Sequence, residues 1–210
     1  MSSSSRIPLI ALAALLACPA SLAQSSSSSS RSADAYHEPT PRESMRQAFA
    51  YANEDYAAGR YDAAIEGYDR ALSIDPSQYL IWTSRAMALR MRGISTYNKA
   101  LAGQFQDGKN VAKKDFLAAI ESANKALALI EALPVPADEP GRTNLALARV
   151  SALEEKGIDL QFIGEGFNDP SAFADASSAY KAAAEFAPDP GRKNRLRNKA
   201  AAVLAQKLDF

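Results

Sequence analysis

Three stretches of this chain carry one helical stripe in which bulky rings alternate with bare alanines. In GRYDAAIEGYDRALSIDP, residues 59–76, Tyr61, Ala64, Ile65, Tyr68, Ala71 and Leu72 recur at helical spacing, and the run stops at Asp75-Pro76. Apolar residues at i, i+3, i+4 and i+7 mark the buried face of an amphipathic helix. Proline ends it, because the residue ahead of a proline is pushed out of helical geometry. Phe116, Ala119, Ile120, Ala123, Ala126 and Leu127 repeat the stripe 55 residues on. Phe173, Ala176, Tyr180 and Ala183 repeat it after 57 more, and that copy closes at Pro188. One such unit cannot bury its apolar face alone, so copies stack into a helical array. The alanines let a neighbouring helix approach closely, and the rings fill the space beside them.

The elements around the stripes follow from local signals. Thr40-Pro41-Arg42-Glu43 predicts a helix start, with Thr40 as cap, Pro41 in the first turn and Glu43 closing a capping box. Met45, Ala48, Phe49, Ala52 and Tyr56 then give an amphipathic helix, and Gly59-Arg60 turns the chain. Residues 94–114, ISTYNKALAGQFQDGKNVAKK, read as extra turns on both helices of a second hairpin, with its tip near Gln106-Asp107-Gly108. LPVPADEP, 133–140, is a rigid turn with Pro140 placed to start the next helix, and Asp169-Pro170 and Asp189-Pro190 are further cap-plus-first-turn pairs. The expected fold is all-α. It has hairpins over 41–75, 77–133 and 140–188, the last two elongated, and a C-terminal capping helix over 190–208 that covers the last apolar face.

The pattern Gly59-x-Tyr61-x-x-Ala64-x-x-x-Tyr68-x-x-Ala71-x-x-x-x-Pro76 resembles the second half of a tetratricopeptide repeat (TPR). Phe173, Ala176, Tyr180, Ala183 and Pro188 match it nearly as well. The middle copy keeps Phe116, Ala119 and Ala126 but has Ala123 for the second aromatic and Glu131 for the proline. Trp82 and Ala86 fit the first helix of the second repeat, where the first repeat has Ala48 and Ala52. The spacing departs from the family's repeat of about 34 residues. The resemblance covers roughly residues 41–188 and implies a short TPR-like α-solenoid.

It also implies a binding surface. First helices of the family's hairpins line a concave groove for peptides or partner proteins. The lining positions fall on Arg46, Phe49, Asn53 and Tyr56, then Leu80, Thr83, Met87 and Arg90, and on Arg149 in the third hairpin. Some members clamp a terminal carboxylate with a Lys and an Asn. Here Asn53 fits, but Phe49 replaces the Lys and Ser84 replaces a second Asn, so no such clamp is expected. An extended peptide with apolar anchors suits Phe49, Tyr56 and Met87 better.

The leader reads as an export signal. Arg6 precedes an apolar run from Ile7 to Ala17, and Ser21-Leu22-Ala23 offers small residues for cleavage after Ala23. A second reading stays open: Leu15-Leu16-Ala17-Cys18 resembles the bacterial lipobox, in which Cys18, the only cysteine, becomes lipidated. Either way the expectation is an exported protein, periplasmic or lipid-anchored to the outer membrane. Residues 24–40, QSSSSSSRSADAYHEPT, are a Ser-rich tether with too few apolar residues to fold.

Catalytic signals are sparse. The only histidine, His37, falls in the tether, and no Gly-rich phosphate loop or Cys/His metal spacing occurs. No cofactor or metal is expected. Glu154, Glu155 and Asp159 sit on a predicted helix and Glu165 near a loop, and a charge run on a helix ordinarily faces water. The basic run Arg192, Lys193, Arg195, Arg197 and Lys199 offers an anion patch on the capping helix. With 24 basic and 24 acidic residues in the chain, nucleic acid is not an expected partner.

These observations lead to a non-enzymatic scaffold of the bacterial envelope that binds a protein or peptide through the groove. Three rivals stand beside it: a small-molecule-binding subunit with a pocket between elongated helices, a lipoprotein assembly factor anchored at Cys18, and a carboxylate-based enzyme. The last needs two acids that converge with shifted pKa values.

Overall fold

Seven helices follow one another in the computed structural model, which describes residues 39–206. They are α1 (Pro41–Ala57), α2 (Tyr61–Ile74), α3 (Tyr79–Leu101), α4 (Gly108–Glu131), α5 (Glu139–Phe167), α6 (Pro170–Phe186) and α7 (Pro190–Gln206). No strand occurs among the described residues. The export leader, Cys18, His37 and all of the tether but its last two residues lie outside the described residues, as do positions 207–210 beyond α7.

Local chemistry sets the helix ends. Glu43 N–H donates to Thr40 Oγ1 at 3.3 Å, and Glu43 Oε2 accepts from Thr40 N–H at 2.8 Å, a complete capping box at the start of α1. Asp138 caps α5 and Asp169 caps α6, each just ahead of a first-turn proline. Asp189 Oδ2 accepts from Arg192 N–H at 2.6 Å at the start of α7. Gly59 turns the chain between α1 and α2 at φ 75°, a left-handed conformation open to glycine at little cost. The second hairpin is elongated on both sides, with 23 residues in α3 and 24 in α4, and α5 reaches 29.

Helices pair as α1/α2, α3/α4 and α5/α6, and α7 covers α6. The apolar clusters show how the pairs stack. One joins Met45 and Ala52 of α1, Ala64 and Tyr68 of α2, Ile81 and Leu89 of α3, and Ala119 and Ala123 of α4. Another joins Val150 of α5, Phe173 and Tyr180 of α6, and Leu196 and Val203 of α7. Every alanine of the three stripes is fully buried. First helices also meet directly, α1 against α3 and α3 against α5. Trp82 packs in two of the clusters, and its indole N–H donates to Pro76 O at 2.9 Å.

The α5/α6 contact adds a device of its own. A Cβ at Gly157 would stand 2.8 Å from the Tyr180 ring, and one at Gly164 would stand 2.7 Å from the Phe173 ring. Both pairs are seven residues apart along antiparallel helices, so two rings seat directly on the α5 backbone. This stripe of missing side chains lets the longest helix approach its partner closely.

Candidate functional site

The first-helix face supplies the most accessible of the expected groove residues. Arg46 and Asn53 of α1 and Leu80 of α3 are exposed, with Leu80 at 56 %. Phe49, Tyr56 and Met87 are half-buried. Phe49 leans on the Tyr68 ring with centroids 5.9 Å apart, and Asn53 Oδ1 accepts from the Tyr68 hydroxyl at 2.8 Å. Burial pushes the Tyr68 phenol up to about 12, so it stays a neutral donor.

Three expected lining residues are placed otherwise. Thr83 is buried, and its hydroxyl donates to Tyr79 O at 3.0 Å one turn back. Arg149 lays its guanidinium over the Phe186 ring, 4.4 Å from the centroid, so it belongs to the α5/α6 contact. Arg90 is 8 % exposed and its guanidinium is engaged by Glu155 of α5. Thr83 and Arg90 thus present no free polar group to a partner, whereas Arg149 is half-buried and held by the ring contact alone.

Arg90 opens onto the most unusual chemistry in the molecule. Glu155 and Asp159 lie one helical turn apart on α5, and both face Arg90 across the α3/α5 seam. Asp159 is fully buried, with Oδ1 3.7 Å from Arg90 Nη1 and no hydrogen-bond partner for either carboxylate oxygen. Burial holds its carboxyl well above the usual carboxylate range; Arg90 opposes that shift, and Glu155 adds to it. Burial likewise raises Tyr56 of α1, which senses Arg90 and Glu155, and Tyr180 of α6, which senses Glu154, Arg90 and Asp159. The expectation of a water-facing acidic run on α5 is therefore corrected at Asp159 and largely at Glu155. A helix packed by α3, α4 and α6 and reached by side chains of α7 has little face left for water. The signal in the sequence was indirect: α5 is long, has no clear apolar stripe and carries two acids four residues apart.

The basic run on α7 is also partly spent inside the molecule. Glu154 accepts from Lys199 Nζ at 2.6 Å and from Arg192 Nη2 at 3.1 Å. Burial works to raise the Glu154 carboxyl, but these two cations outweigh it and hold it below the usual range. Arg197 approaches Glu185 at 3.4 Å with both side chains mostly exposed. Among the described residues no carboxylate pairs with Lys193 or Arg195. The anion patch thus shrinks to Lys193, Arg195 and a loosely held Arg197.

An open cleft of about 680 Å³ lies where the start of α2 meets α3 and α4, lined by Arg60, Asp62, Arg92, Ser95, Thr96, Lys99 and Asp115 among others. Its central cation is committed, since Arg92 meets Asp115 through Nη2 at 2.7 Å and Nε at 3.1 Å, and Asp62 through Nη1 at 2.9 Å. No described helix is long and apolar enough to cross a membrane, and no group of three or more metal-ligating side chains gathers among the described residues. No protein-family model matches the chain, and a search of curated proteins returns no significant match.

Proposed function

We propose that this chain is an exported, TPR-like scaffold that binds a protein or peptide partner along the face shared by α1, α3 and α5. The observation that carries this reading is the direct contact of first helix with first helix, α1 on α3 and α3 on α5, while the second helices bury the repeated stripe. That arrangement leaves Arg46, Asn53 and Leu80 open beside half-buried Phe49 and Met87, a mixture of apolar anchors and polar groups suited to an extended segment. The leader layout, Arg6 followed by Ile7 to Ala17, supports export to the bacterial envelope, with attachment at Cys18 as the alternative.

The rivals find less support. A small-molecule pocket would enclose its ligand behind a few free polar groups, whereas the α2/α3/α4 cleft is open and its Arg92 is held by two aspartates. A carboxylate-based enzyme would use Glu155 and Asp159, yet a substrate would have to reach a side chain with no exposure at all.

An envelope pull-down tests the reading. The bait is the chain from Gln24, beside a groove variant carrying Arg46→Ala, Leu80→Ala and Met87→Ala and a control carrying Leu117→Ala on the exposed face of α4. A partner held by the parent and the control but lost from the groove variant is the expected result. Equal recovery by all three baits sinks the groove as the site.

A further inference from the structure

The seam between the second and third hairpins holds one cation for two carboxylates. Arg90 enters from α3, and Glu155 and Asp159 enter from α5. Arg90 is spoken for by Glu155, while Asp159 has no exposure and no hydrogen bond. The other groups facing the cluster are phenols. Tyr180 of α6 donates its hydroxyl to Gln161 at 3.3 Å, and Tyr56 of α1 stands near Arg90 and Glu155. Glu154, the remaining acid of this stretch, is neutralised from α7 by Arg192 and Lys199. With Asp159 ionised, the closed seam would carry a carboxylate with no hydrogen bond, 3.7 Å from a cation already engaged by Glu155, away from water, which is a costly arrangement for a protein interior.

We propose that Asp159 is a proton-operated latch between the second and third hairpins: with its proton the α3/α5 seam is closed, and on losing it the seam parts and lets water reach the carboxylate. Rearrangement inside a closed seam gives no relief, because moving Arg90 onto Asp159 strips Glu155, which is itself nearly buried. Opening does, since a solvated carboxylate returns to its ordinary range near 3.9. Burial of the closed form raises the proton affinity of Asp159. Between the two values each unit of pH therefore favours the open form about tenfold. Since α3 and α5 belong to consecutive hairpins, parting them changes the angle at which those hairpins stack. The latch is a property of the seam and holds whatever the groove binds.

Amide hydrogen exchange on the full chain, corrected for the intrinsic pH dependence of exchange, reads the seam directly. Peptides around Arg90 in α3 and Asp159 in α5 are expected to exchange about tenfold faster per pH unit through the titration of Asp159, while α1 and α2 stay flat. Asp159→Asn carries no titrating proton and is expected to abolish the step. Glu155→Gln removes a neighbour that raises the Asp159 carboxyl and frees Arg90 to pair with it, so the step is expected to shrink and to end at lower pH, which decides the matter should Asp159→Asn fail to fold. The latch is overturned if the parent shows no step at the seam, if Asp159→Asn or Glu155→Gln leaves the step unchanged, or if exchange rises equally in every helix.

Discussion

The Asp159 carboxylate lies 3.7 Å from the Arg90 guanidinium, and that guanidinium already belongs to Glu155. Two acids therefore compete for one base in a place almost closed to water. Removing either kind of charge should have opposite consequences, and both are measurable.

Asp159→Asn should stabilise the chain at neutral pH by about 1–3 kcal/mol, because it removes a carboxyl whose ionisation burial opposes, and each pKa unit of that opposition is worth about 1.4 kcal/mol. The pH dependence follows from the direction of the shift. The folded chain holds this proton more tightly than the unfolded chain does. The penalty is absent below the ordinary carboxylate value near 3.9, grows as pH rises toward the elevated folded value, and is constant above it. Urea midpoints of parent and variant should thus converge in acid and separate toward neutral pH. A constant separation at all pH would assign the gain to packing instead.

Arg90→Leu should cost about 3–5 kcal/mol, because it leaves Glu155 and Asp159 buried without a cation. The same substitution placed on Glu155→Gln with Asp159→Asn should cost far less, since no charge remains to be compensated. Chemical denaturation of the four chains closes the cycle. Equal costs in both backgrounds would show that the Arg90 side chain matters for its packing alone.

How much of this was legible in the sequence depends on the kind of signal. The stripes were legible because burial repeats at a fixed period: Ala64, Ala71, Ala119, Ala126, Ala176 and Ala183 all have no exposure. The caps were legible because Thr40, Asp169 and Asp189 act on backbone groups two or three residues away. The α3/α5 cluster was not, because Arg90 and Glu155 are 65 residues apart and meet only when hairpins stack. Arg90 was expected on an open groove and Glu155 in water. Each expectation was reasonable for its own helix, and stacking altered both. The Arg149 contact with Phe186 was illegible for the same reason, because the ring lies on the following helix.

The two ring-bearing glycines of α5 should resist even one added methyl. Gly157→Ala and Gly164→Ala each place a Cβ within 3 Å of a buried ring and should destabilise by about 1–3 kcal/mol through overpacking. Gly166→Ala is the control. Its Cβ would sit 3.5 Å from the Tyr97 ring, an ordinary contact, and the gain in helix preference should stabilise by about 0.5–1 kcal/mol. Thermal melts of the three variants should order Gly166→Ala above the parent and the other two below it.

Glu154 should decide how well the last helix stays docked. The first turns of α7 carry five cations and no acid at the helix end where the backbone dipole already favours negative charge. Glu154 offsets two of them from α5, and Asp189 binds the first-turn amide of Arg192. Glu154→Gln keeps the shape and removes the charge, so it should cost about 1 kcal/mol, a modest value because Lys199 and Arg192 remain partly in water. The carboxyl is held below its ordinary range, so its contribution is fully present above the ordinary value near 4.3 and is lost as pH falls through the depressed folded value. That sign is opposite to the one expected for Asp159. Hydrogen exchange in α7 should therefore quicken in acid for the parent and be quick at every pH in the variant, while the α1/α2 hairpin is unchanged in both. Exchange in α7 that ignores both the substitution and the pH would mean that Leu196, Ala200 and Val203 hold the helix by their burial alone.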